Sequence, residues 1–305
     1  LPLRPGSRIS HLDIMVPLSS SRGSSHAKGR DGLSRDFLKY LPTDMINLIS
    51  HLVTVCLHTG TYMEEFRTMR GMAVHKKGSW DQVENYRPVL ITSVVTSLVE
   101  KIFGCQAIKF YEQKGKLHEN MGGFRTFFSI GGTINKLRRN ALIKAIEFII
   151  CLVLTDLSNA FGSTDDILLV EKLKEIWSLR SLTFLRSYLS QTNIIVTAHG
   201  IDGRSFKTSA RGCGSQGSTS APNIFLIIMS EAHAGIYGDT SYSFADDNNQ
   251  LTLSPDISEV ERLAQGALDE FVEFTDNCNI KLNAKKTKAS LGCRDRKVKI
   301  DHTSS

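Results

Sequence analysis

The stretch "SYSFADDNNQLTLS", residues 241–254, places two adjacent carboxylates between two short runs of strand-forming residues. Asp246 and Asp247 repel each other, and the neighbouring Asn248 and Asn249 carry no charge that offsets them. Asp and Asn are favoured in tight turns, so one interpretation is a solvated hairpin turn. In the other, the two acids are metal ligands and a bound cation removes their repulsion. The pair alone does not decide between them.

The composition is that of an ordinary globular protein. Of the 305 residues, 41% are hydrophobic and 22% are charged, and the length suggests about two domains. No run reaches the roughly 18 apolar residues of a membrane span, and the longest, "FIICLVL" from Phe148, predicts a buried strand. The six cysteines form no CxxC pair, so we expect them to be reduced and mostly packed. Without a secretory segment, an intracellular protein is expected.

The net charge of +6 is concentrated at one end of the chain. Residues 281–305 hold eight Lys or Arg against two Asp, so this segment accounts for the whole net charge. A basic segment attracts polyanions, although a solvated lysine-rich tail has the same composition. At the other end, residues 1–36 are rich in Ser, Gly and Arg and predict a loop or flexible segment. The sequence lacks an initiator Met, which leads us to expect a fragment or a processed piece.

Hydrophobic periodicity predicts a series of helices and strands without an internal repeat. The predicted elements are a helix at 43–59, two strands within 70–93, a helix within 97–115, a strand running into Asp156, a helical stretch at 166–189, a hairpin within 193–212, a buried helix from Pro222, the hairpin at 241–254, and an amphipathic helix at 258–274. Ser258 and Glu261 form a capping-box pattern at the start of the last helix. This order predicts a mixed α+β domain rather than an alternating α/β domain.

The strand that ends at Asp156 and the hairpin with Asp246 and Asp247 could together supply the acids that two-metal phosphoryl transfer requires. With its other motifs, the chain resembles the reverse transcriptase domain of non-LTR (LINE-type) retrotransposons. Seven stretches carry this resemblance, in the family's order: "GRDGLSRDFLK" at 29–39, "HKKGSWDQVENYRPVLITS" from His75, "GGFR" at 122–125, "LTDLSNAF" at 154–161, "RGCGSQGSTSAPNIF" from Arg211, "FADD" at 244–247 and "IKLNAKKTK" at 280–288.

The resemblance implies a right-hand polymerase fold of the α+β class. It implies a palm with a ferredoxin-like sheet, together with fingers and a thumb that is missing or truncated. The fingers are expected at 29–145, returning at about 190–215, and the palm at 146–189 and 216–291. A flexible segment at 1–28 precedes them, and a basic tail at 292–305 follows.

The implied activity is that of an RNA-directed DNA polymerase. Such an enzyme adds deoxynucleotides to the 3′-hydroxyl of a DNA primer on an RNA template, using two Mg²⁺ or Mn²⁺ ions. The resemblance assigns metal binding and catalysis to Asp156, Asp246 and Asp247, the last being less directly engaged. Lys286 corresponds to the lysine proposed to protonate the leaving pyrophosphate; a phosphate contact or a surface charge is the alternative. For a eukaryotic retroelement, the implied location is the nucleus.

Further residues correspond to nucleotide and template contacts of the family. Lys76 or Lys77, together with Arg87, would clamp the triphosphate. Phe161 corresponds to the aromatic steric gate against a ribose 2′-hydroxyl, with core packing as its alternative. Positions that match backbone or pocket contacts of the nucleotide are Leu157, Ser158, Gln216 and Gly217, and those that match a template-side element are Gly123, Phe124 and Arg125.

Departures from the family pattern leave a second hypothesis open. Gly162 stands where the family usually has an Asp, and Met121 replaces a common Gln. The segment "RGCGS" that precedes Gln216 and Gly217 is one residue longer than in the usual family pattern. A degenerate, catalytically weak nucleic-acid-binding remnant is therefore the alternative to an active polymerase. An RNA-dependent RNA polymerase is less consistent with the sequence, because Phe161 and Ala245 stand where that class usually has Asp and Gly.

Overall fold

The structure is a computed structural model that describes residues 9–10, 13–14, 28–29, 31–125, 127–158, 166–190, 192–197, 205–210, 218–233 and 240–292. The chain divides into two compact units. The first unit comprises Leu1–Gln113 and Phe161–Phe225, and the second comprises Lys114–Ala160 and Leu226–Ser305. Most of the predicted N-terminal segment, and the tail from residue 293, lie outside the described residues.

Helices and strands are numbered here in chain order. The helices with described bounds are α1 (Arg35–Lys39), α2 (Thr43–Thr59), α3 (Val94–Gln113), α4 (Ile130–Lys144), α5 (Asp166–Leu173), α6 (Leu179–Leu189), α7 (Ala221–Ala232) and α8 (Ile257–Asn277). The strands are β1 (Thr68–His75), β2 (Tyr86–Ile91), β3 (Met121–Gly122), β4 (Ile149–Thr155), β5 (Leu157–Ser158), β6 (Thr192–Thr197), β7 (Ser205–Ala210), β8 (Ser241–Phe244), β9 (Asp247–Ser254), β10 (Lys281–Leu282) and β11 (Lys288–Gly292).

The first unit contains a four-stranded sheet in the order β2-β1-β6-β7. The pairs β1–β2 and β6–β7 are antiparallel, and β1 and β6 run parallel. Met69, Leu90 and Ile194 form a buried cluster on this sheet. The two predicted strands within 70–93 and the predicted hairpin within 193–212 are therefore confirmed, while the turn predicted at 200–203 lies outside the described residues.

Helix α2 confirms the helix predicted at 43–59. Its buried side chains include Ile46, Ile49, Val53 and Leu57, whose spacing places them along one face. The helix ends at Gly60, whose φ of +72° is the left-handed conformation that glycine adopts without strain. The periodicity and the terminating glycine together explain why this prediction succeeded.

Two local predictions were wrong. The helical stretch at 166–189 is divided into α5 and α6, because Ser178 starts a new helix by accepting a hydrogen bond from the N–H of Ser181. Helix α8 begins two residues before the predicted capping box, since Asp256 is its N-cap and accepts from the N–H of Glu259. Asp caps helices as well as Ser does, so the pattern contained two competing start signals.

The second unit contains a five-stranded sheet in the order β11-β4-β9-β8-β3, antiparallel except for the parallel pair β3–β8. Helix α8 covers one face, where Cys151 and Val153 of β4 pack against Val260 and Ala264. On the opposite face Leu154 is 39% exposed, so the strand predicted to be buried is covered on one side only. Strands β5 and β10 form a separate antiparallel pair beside the end of β4.

The expected mixture of helices and antiparallel strands is thus confirmed. The buried helix predicted from Pro222 is α7, which begins one residue earlier, at Ala221. Of the described cysteines, Cys56, Cys151 and Cys278 are buried, and Cys105 is exposed. None of the described helices combines the length and the apolar composition needed to cross a membrane.

Candidate active site

Asp156 is the single residue between β4 and β5. Its backbone carbonyl accepts a hydrogen bond of 2.8 Å from the N–H of Asn283, which follows β10. Because β5 also pairs with β10 through Ser158 and Lys281, the chain is held on both sides of Asp156. The side chain is 31% exposed. The sequence therefore places this carboxylate at a rigid, partly open strand end.

Asp246 and Asp247 lie at the turn of the β8–β9 hairpin. Phe244 pairs with Asp247, so the turn consists of Ala245 and Asp246 alone. Ala245 has a φ of +57°, a conformation that two-residue hairpin turns require and that glycine usually supplies. Both acids are exposed. The hairpin expected from the sequence is confirmed, with Asp246 at its tip and Asp247 as the first residue of β9.

The ladder between β4 and β9 brings the acids of the two elements together. Thr155 pairs with Asn248 in antiparallel register, and the next position along each strand is Asp156 on one and Asp247 on the other. Side chains alternate between the faces of a sheet, so Asp156 and Asp247 share the face that bears Leu154 and Asn249. This face is opposite to the one covered by α8.

The charges of the acids act on one another. Partial burial, then the charge of Asp246 and then that of Asp156, raise the pKa of the Asp247 carboxyl, while Lys286 acts in the opposite direction. The Nζ of Lys286 lies 3.1 Å from Oδ2 of Asp156. The ammonium of Lys286 is thus paired with one of the three acids.

A cavity of about 710 Å³ opens beside these acids. Its charged lining residues are Asp156, Asp247, Lys285, Lys286 and Lys288. The rest of the lining is largely apolar and comes from α4, β4 and β8, through Ile130, Ile134, Leu137, Leu154 and Phe244. The site therefore combines acids, lysines and an apolar wall, a combination suited to a charged ligand with a flat apolar part.

The segment that contains "GGF" packs against the hairpin at β8 and at Ala245. The N–H of Ser243 donates to the carbonyl of Asn120, and Gly123 has a φ of +79°. A Cβ on Gly123 would lie 2.6 Å from the backbone nitrogen of Ala245, so only glycine permits this approach. Sequence reasoning took Gly123 as a template contact and did not identify this packing role, which pairs a glycine with a turn 122 positions away.

A family model described as reverse transcriptase (RNA-dependent DNA polymerase) matches residues 74–301, about three quarters of the chain. The chain belongs to the reverse transcriptase family. The match includes Asp156, both hairpin acids and Lys286, so the resemblance found in the sequence is confirmed. Reverse transcriptases use divalent metal ions, and this gives the cluster of acids a chemical context.

Two reverse transcriptase relatives come from mobile elements of Drosophila melanogaster. The chain is 23% identical to the "RNA-directed DNA polymerase from mobile element jockey" over 273 residues, which cover 85% of this chain and 29% of the relative. It is 21% identical to the "Probable RNA-directed DNA polymerase from transposon BS" over 300 residues, which cover 94% of this chain and 32% of the relative. The chain thus spans less than a third of the length of these relatives.

The donor set fits the divalent ions that reverse transcriptases use. Asp156, Asp246 and Asp247 offer oxygen ligands only, as Mg²⁺ and Mn²⁺ prefer. Burial, with the charges of Asp246 and Asp156 as smaller causes, raises the pKa of Asp247, and a bound cation would balance those charges. Among the described residues, no group of three or more His, Cys, Asp or Glu side chains forms a ready-made metal cluster. The ion pair with Lys286 engages Oδ2 of Asp156.

The remaining predicted residues of this reverse transcriptase domain are distributed as follows. Lys76 and Lys77 are exposed in the loop after β1, and Arg87 lies in β2 opposite Val74, all in the first unit. Leu157 is buried, and Ser158 pairs with Lys281. Phe161, Gln216 and Gly217 lie outside the described residues.

In the segment that corresponds to the template-side element of the reverse transcriptase family, one side chain is exposed and another points inward. Phe124 is 48% exposed. Arg125 turns inward: its Nη1 donates to the carbonyls of His118 and Met121 at 2.8 Å, and its guanidinium lies 3.9 Å from the Phe128 ring centre. Arg125 therefore supports the element from within in this structure.

Proposed function

We propose that the chain is an RNA-directed DNA polymerase domain of a mobile element, which extends a DNA primer with deoxynucleotides on an RNA template. The observation that carries the proposal is the meeting of Asp156 and Asp247 at adjacent strand ends, with Asp246 at the hairpin tip, in a member of the reverse transcriptase family. We expect the activity inside the cell, and in the nucleus if the host is eukaryotic.

The acids would hold the metal ions that the reaction needs. Asp156 and Asp246 are the proposed principal ligands of two Mg²⁺ or Mn²⁺ ions, with Asp247 contributing less directly. Bound ions would supply activation of the primer hydroxyl and charge stabilisation of the leaving pyrophosphate. The protein supplies their position, because a strand end and a two-residue turn are rigid mounts for the carboxylates.

Lys286 has two proposed tasks at the same site. Its ammonium, which lies 3.1 Å from Oδ2 of Asp156, would offset part of the negative charge of the acids. During the reaction it would move to the leaving pyrophosphate and donate a proton to it. The side chain is 67% exposed, which leaves it room to exchange one partner for the other.

The proposed nucleotide contacts are the residues that correspond to the family's triphosphate and pocket positions. Lys76 or Lys77 would act as a point charge on the triphosphate, and Arg87 as a bidentate clamp. The backbone at Leu157 and Ser158 would approach the triphosphate. Phe161 would exclude the ribose 2′-hydroxyl, and Gln216 with Gly217 would line the pocket.

A right-hand arrangement is the proposed architecture. The proposed fingers, residues 29–145 with a return at about 190–215, contain the sheet β2-β1-β6-β7, and the proposed palm, residues 146–189 and 216–291, contains β4, β8, β9 and β11. On the template side, Gly123 and Arg125 would hold the "GGFR" element in shape, and the exposed ring of Phe124 would contact the strand. Aromatic rings are sequence-tolerant platforms for nucleic-acid bases.

A catalytically weak nucleic-acid-binding remnant is the second candidate. It is favoured by the extra residue before Gln216. The intact set of three acids favours the polymerase.

Extension of a primed RNA template separates the two candidates. The chain is incubated with deoxynucleotides and either Mg²⁺ or Mn²⁺, and thermal unfolding is recorded with and without the metal. The polymerase proposal predicts metal-dependent extension together with metal-dependent stabilisation. Stabilisation by the metal without any extension would instead support the remnant. If neither extension nor stabilisation is observed, the proposed metal site is contradicted.

A further inference from the structure

Trp80 lies on the loop between β1 and β2, and 72% of it is exposed, although tryptophan is mostly buried in proteins. Its ring stacks on the ring of His75, with the ring centres 3.8 Å apart and the planes inclined by 13°. The ring of Tyr86 packs against the same His75 ring in an edge contact, at 5.2 Å between centres. One face of the Trp80 ring is thus covered by His75, and the opposite face is open to solvent.

Hydrogen bonds to the backbone hold this loop in shape. The hydroxyl of Tyr86 donates to the carbonyl of Trp80 at 2.8 Å, and the side-chain amide of Asn85 donates to the carbonyl of Ser79 at 2.8 Å. The N–H of Lys76 donates to the carbonyl of Asn85 at 2.7 Å and closes the loop at its base. The Trp80 ring is therefore held in one orientation, which lowers the entropic cost of binding a ligand to it.

Packing of the first unit does not account for the exposed ring. The buried cluster of the sheet consists of Met69, Leu90 and Ile194, and Trp80 is not part of it. Unpaired bases of nucleic acids stack on exposed aromatic rings in proteins, because every base has a π-face. The β1–β2 hairpin, residues 68–91, holds four Lys or Arg against two Asp or Glu, and its net charge of +2 suits a polyanion.

We infer that the loop between β1 and β2 is a binding site for an unpaired base of a single-stranded nucleic acid, which stacks on the open face of Trp80. The identification of this strand as the unpaired part of the RNA template rests on the proposed function. The stacking itself rests on the geometry of the loop. It requires neither a triphosphate nor a metal ion, so it is separable from the proposed triphosphate contact of Lys76 or Lys77.

Tryptophan fluorescence measures the stacking directly. The chain contains two tryptophans, Trp80 and Trp177, and Trp177 is only 4% exposed. We expect a short single-stranded RNA to quench the emission of the unmutated chain, and we expect this quenching to disappear in Trp80→Phe. A strand of the same length in which abasic sites replace the bases should not quench. Equal quenching in Trp80→Phe, or equal quenching by the abasic strand, would overturn the inference.

Equilibrium binding of a fluorescein-labelled single-stranded RNA measures how much the ring contributes to affinity. Trp80→Ala should weaken binding about five- to tenfold, which is the lower part of the range for one stacked base, because one face of the ring is already covered. Trp80→Phe should lose less affinity, since phenylalanine retains an aromatic face. Neither substitution should change the affinity for the abasic strand.

Val83→Ala is the matched control for this binding experiment. Val83 lies on the same loop and is 80% exposed, so its truncation removes apolar surface without removing an aromatic ring. This variant should bind the RNA as tightly as the unmutated chain does. Equal losses in Val83→Ala and Trp80→Ala would overturn the inference. Unchanged RNA binding in Trp80→Ala would also overturn it and would leave a protein partner as the ligand of the exposed ring.

The two fluorescence experiments also separate this inference from the proposed function, because they are carried out without metal ions and deoxynucleotides. If the unmutated chain does not extend a primer but RNA quenches the emission of Trp80, the polymerase proposal fails and the binding site is supported. If the unmutated chain extends a primer and RNA does not quench the emission of Trp80, the polymerase proposal is supported and the binding site is rejected.

Discussion

The ammonium of Lys286 lies 3.1 Å from the carboxylate of Asp156, joining two residues that are 130 positions apart in the sequence. Both are anchored by the same residue, because the N–H of Asn283 donates to the Asp156 carbonyl and the carbonyl of Asn283 accepts from the N–H of Lys286. The pair compensates one of three neighbouring acids. A cation that binds through Oδ2 of Asp156 would compete with Lys286.

This competition predicts opposite effects of one substitution on binding and on catalysis. Lys286→Ala should tighten Mg²⁺ binding about two- to fivefold, because a largely exposed ion pair is worth at most about 1 kcal/mol, while it slows nucleotide addition. Mg²⁺ binding is measured by its effect on thermal unfolding, and addition by single-turnover extension.

Lys285→Ala and Lys286→Arg are the controls for that experiment. Lys285 lines the same cavity, and its removal should leave Mg²⁺ binding unchanged. Arg keeps the positive charge but does not give up its proton, so Lys286→Arg should slow addition if Lys286 is the proton donor. A full rate in Lys286→Arg would exclude that role.

Gly123→Ala tests the support of the catalytic hairpin. The new methyl group would lie 2.6 Å from the Ala245 nitrogen on a residue with a φ of +79°, so the hairpin must shift or strain must be stored. We expect a loss of about 1–3 kcal/mol in the free energy of unfolding, measured by urea denaturation, together with slower extension.

Gly131→Ala is the matched substitution, because a Cβ there meets no atom within 4 Å and Gly131 lies inside α4. Ala is the better helix former, so this change should stabilise the protein by up to about 1 kcal/mol. Equal effects of the two substitutions would contradict the bracing role of Gly123.

Much of the fold follows from local signals in the sequence. The apolar run from Phe148 predicts β4 and its end at Asp156, and the alternation on either side of Asp246 predicts the hairpin. Local signals fail where two of them compete, as at Asp256 and Ser258. They also give no indication of the ion pair between Asp156 and Lys286 or of the approach of Gly123 to Ala245, because tertiary packing decides both.

His233 predicts a specific dependence of stability on pH. Burial, with a smaller effect of the stacked His118, lowers the pKa of His233 to about 3, and its Nε2 lies 2.9 Å from the hydroxyl of Ser243. Between about pH 3 and 6.5 the unfolded chain therefore binds a proton that the folded chain does not. The free energy of unfolding is therefore unaffected by the titration of His233 above about pH 6.5, and it falls by up to about 1.4 kcal/mol per pH unit below that value.

The measurement compares the free energy of unfolding at pH 7.5 and pH 5.5 for the unmutated chain and for His233→Asn. The loss of stability at pH 5.5 should be smaller in the variant, whose side chain does not titrate. His51→Asn, at an exposed histidine of α2, is the control and should retain the full loss. An identical pH dependence in His233→Asn would contradict the account.

Phe161→Ala tests the proposed steric gate, which stays a prediction because Phe161 lies outside the described residues. A small side chain removes the barrier to a 2′-hydroxyl, so the variant should incorporate ribonucleotides far better relative to deoxynucleotides. Competition between the two nucleotides in primer extension measures this ratio. An unchanged preference for deoxynucleotides would reject the assignment.

Extension by the unmutated chain and by Asp246→Asn, on the same primed RNA template with Mg²⁺, tests the central claim most directly. Removal of this carboxylate should lower the rate by at least about 100-fold, since changes beyond the metal ligands already cost 10–100-fold. Asp247→Asn should cost less. Without Mg²⁺, the unfolding temperature of Asp246→Asn should stay equal or rise slightly, because a repulsion is removed. An Asp246→Asn variant that folds and extends the primer at the unmutated rate would contradict the claim that these acids hold the catalytic metals.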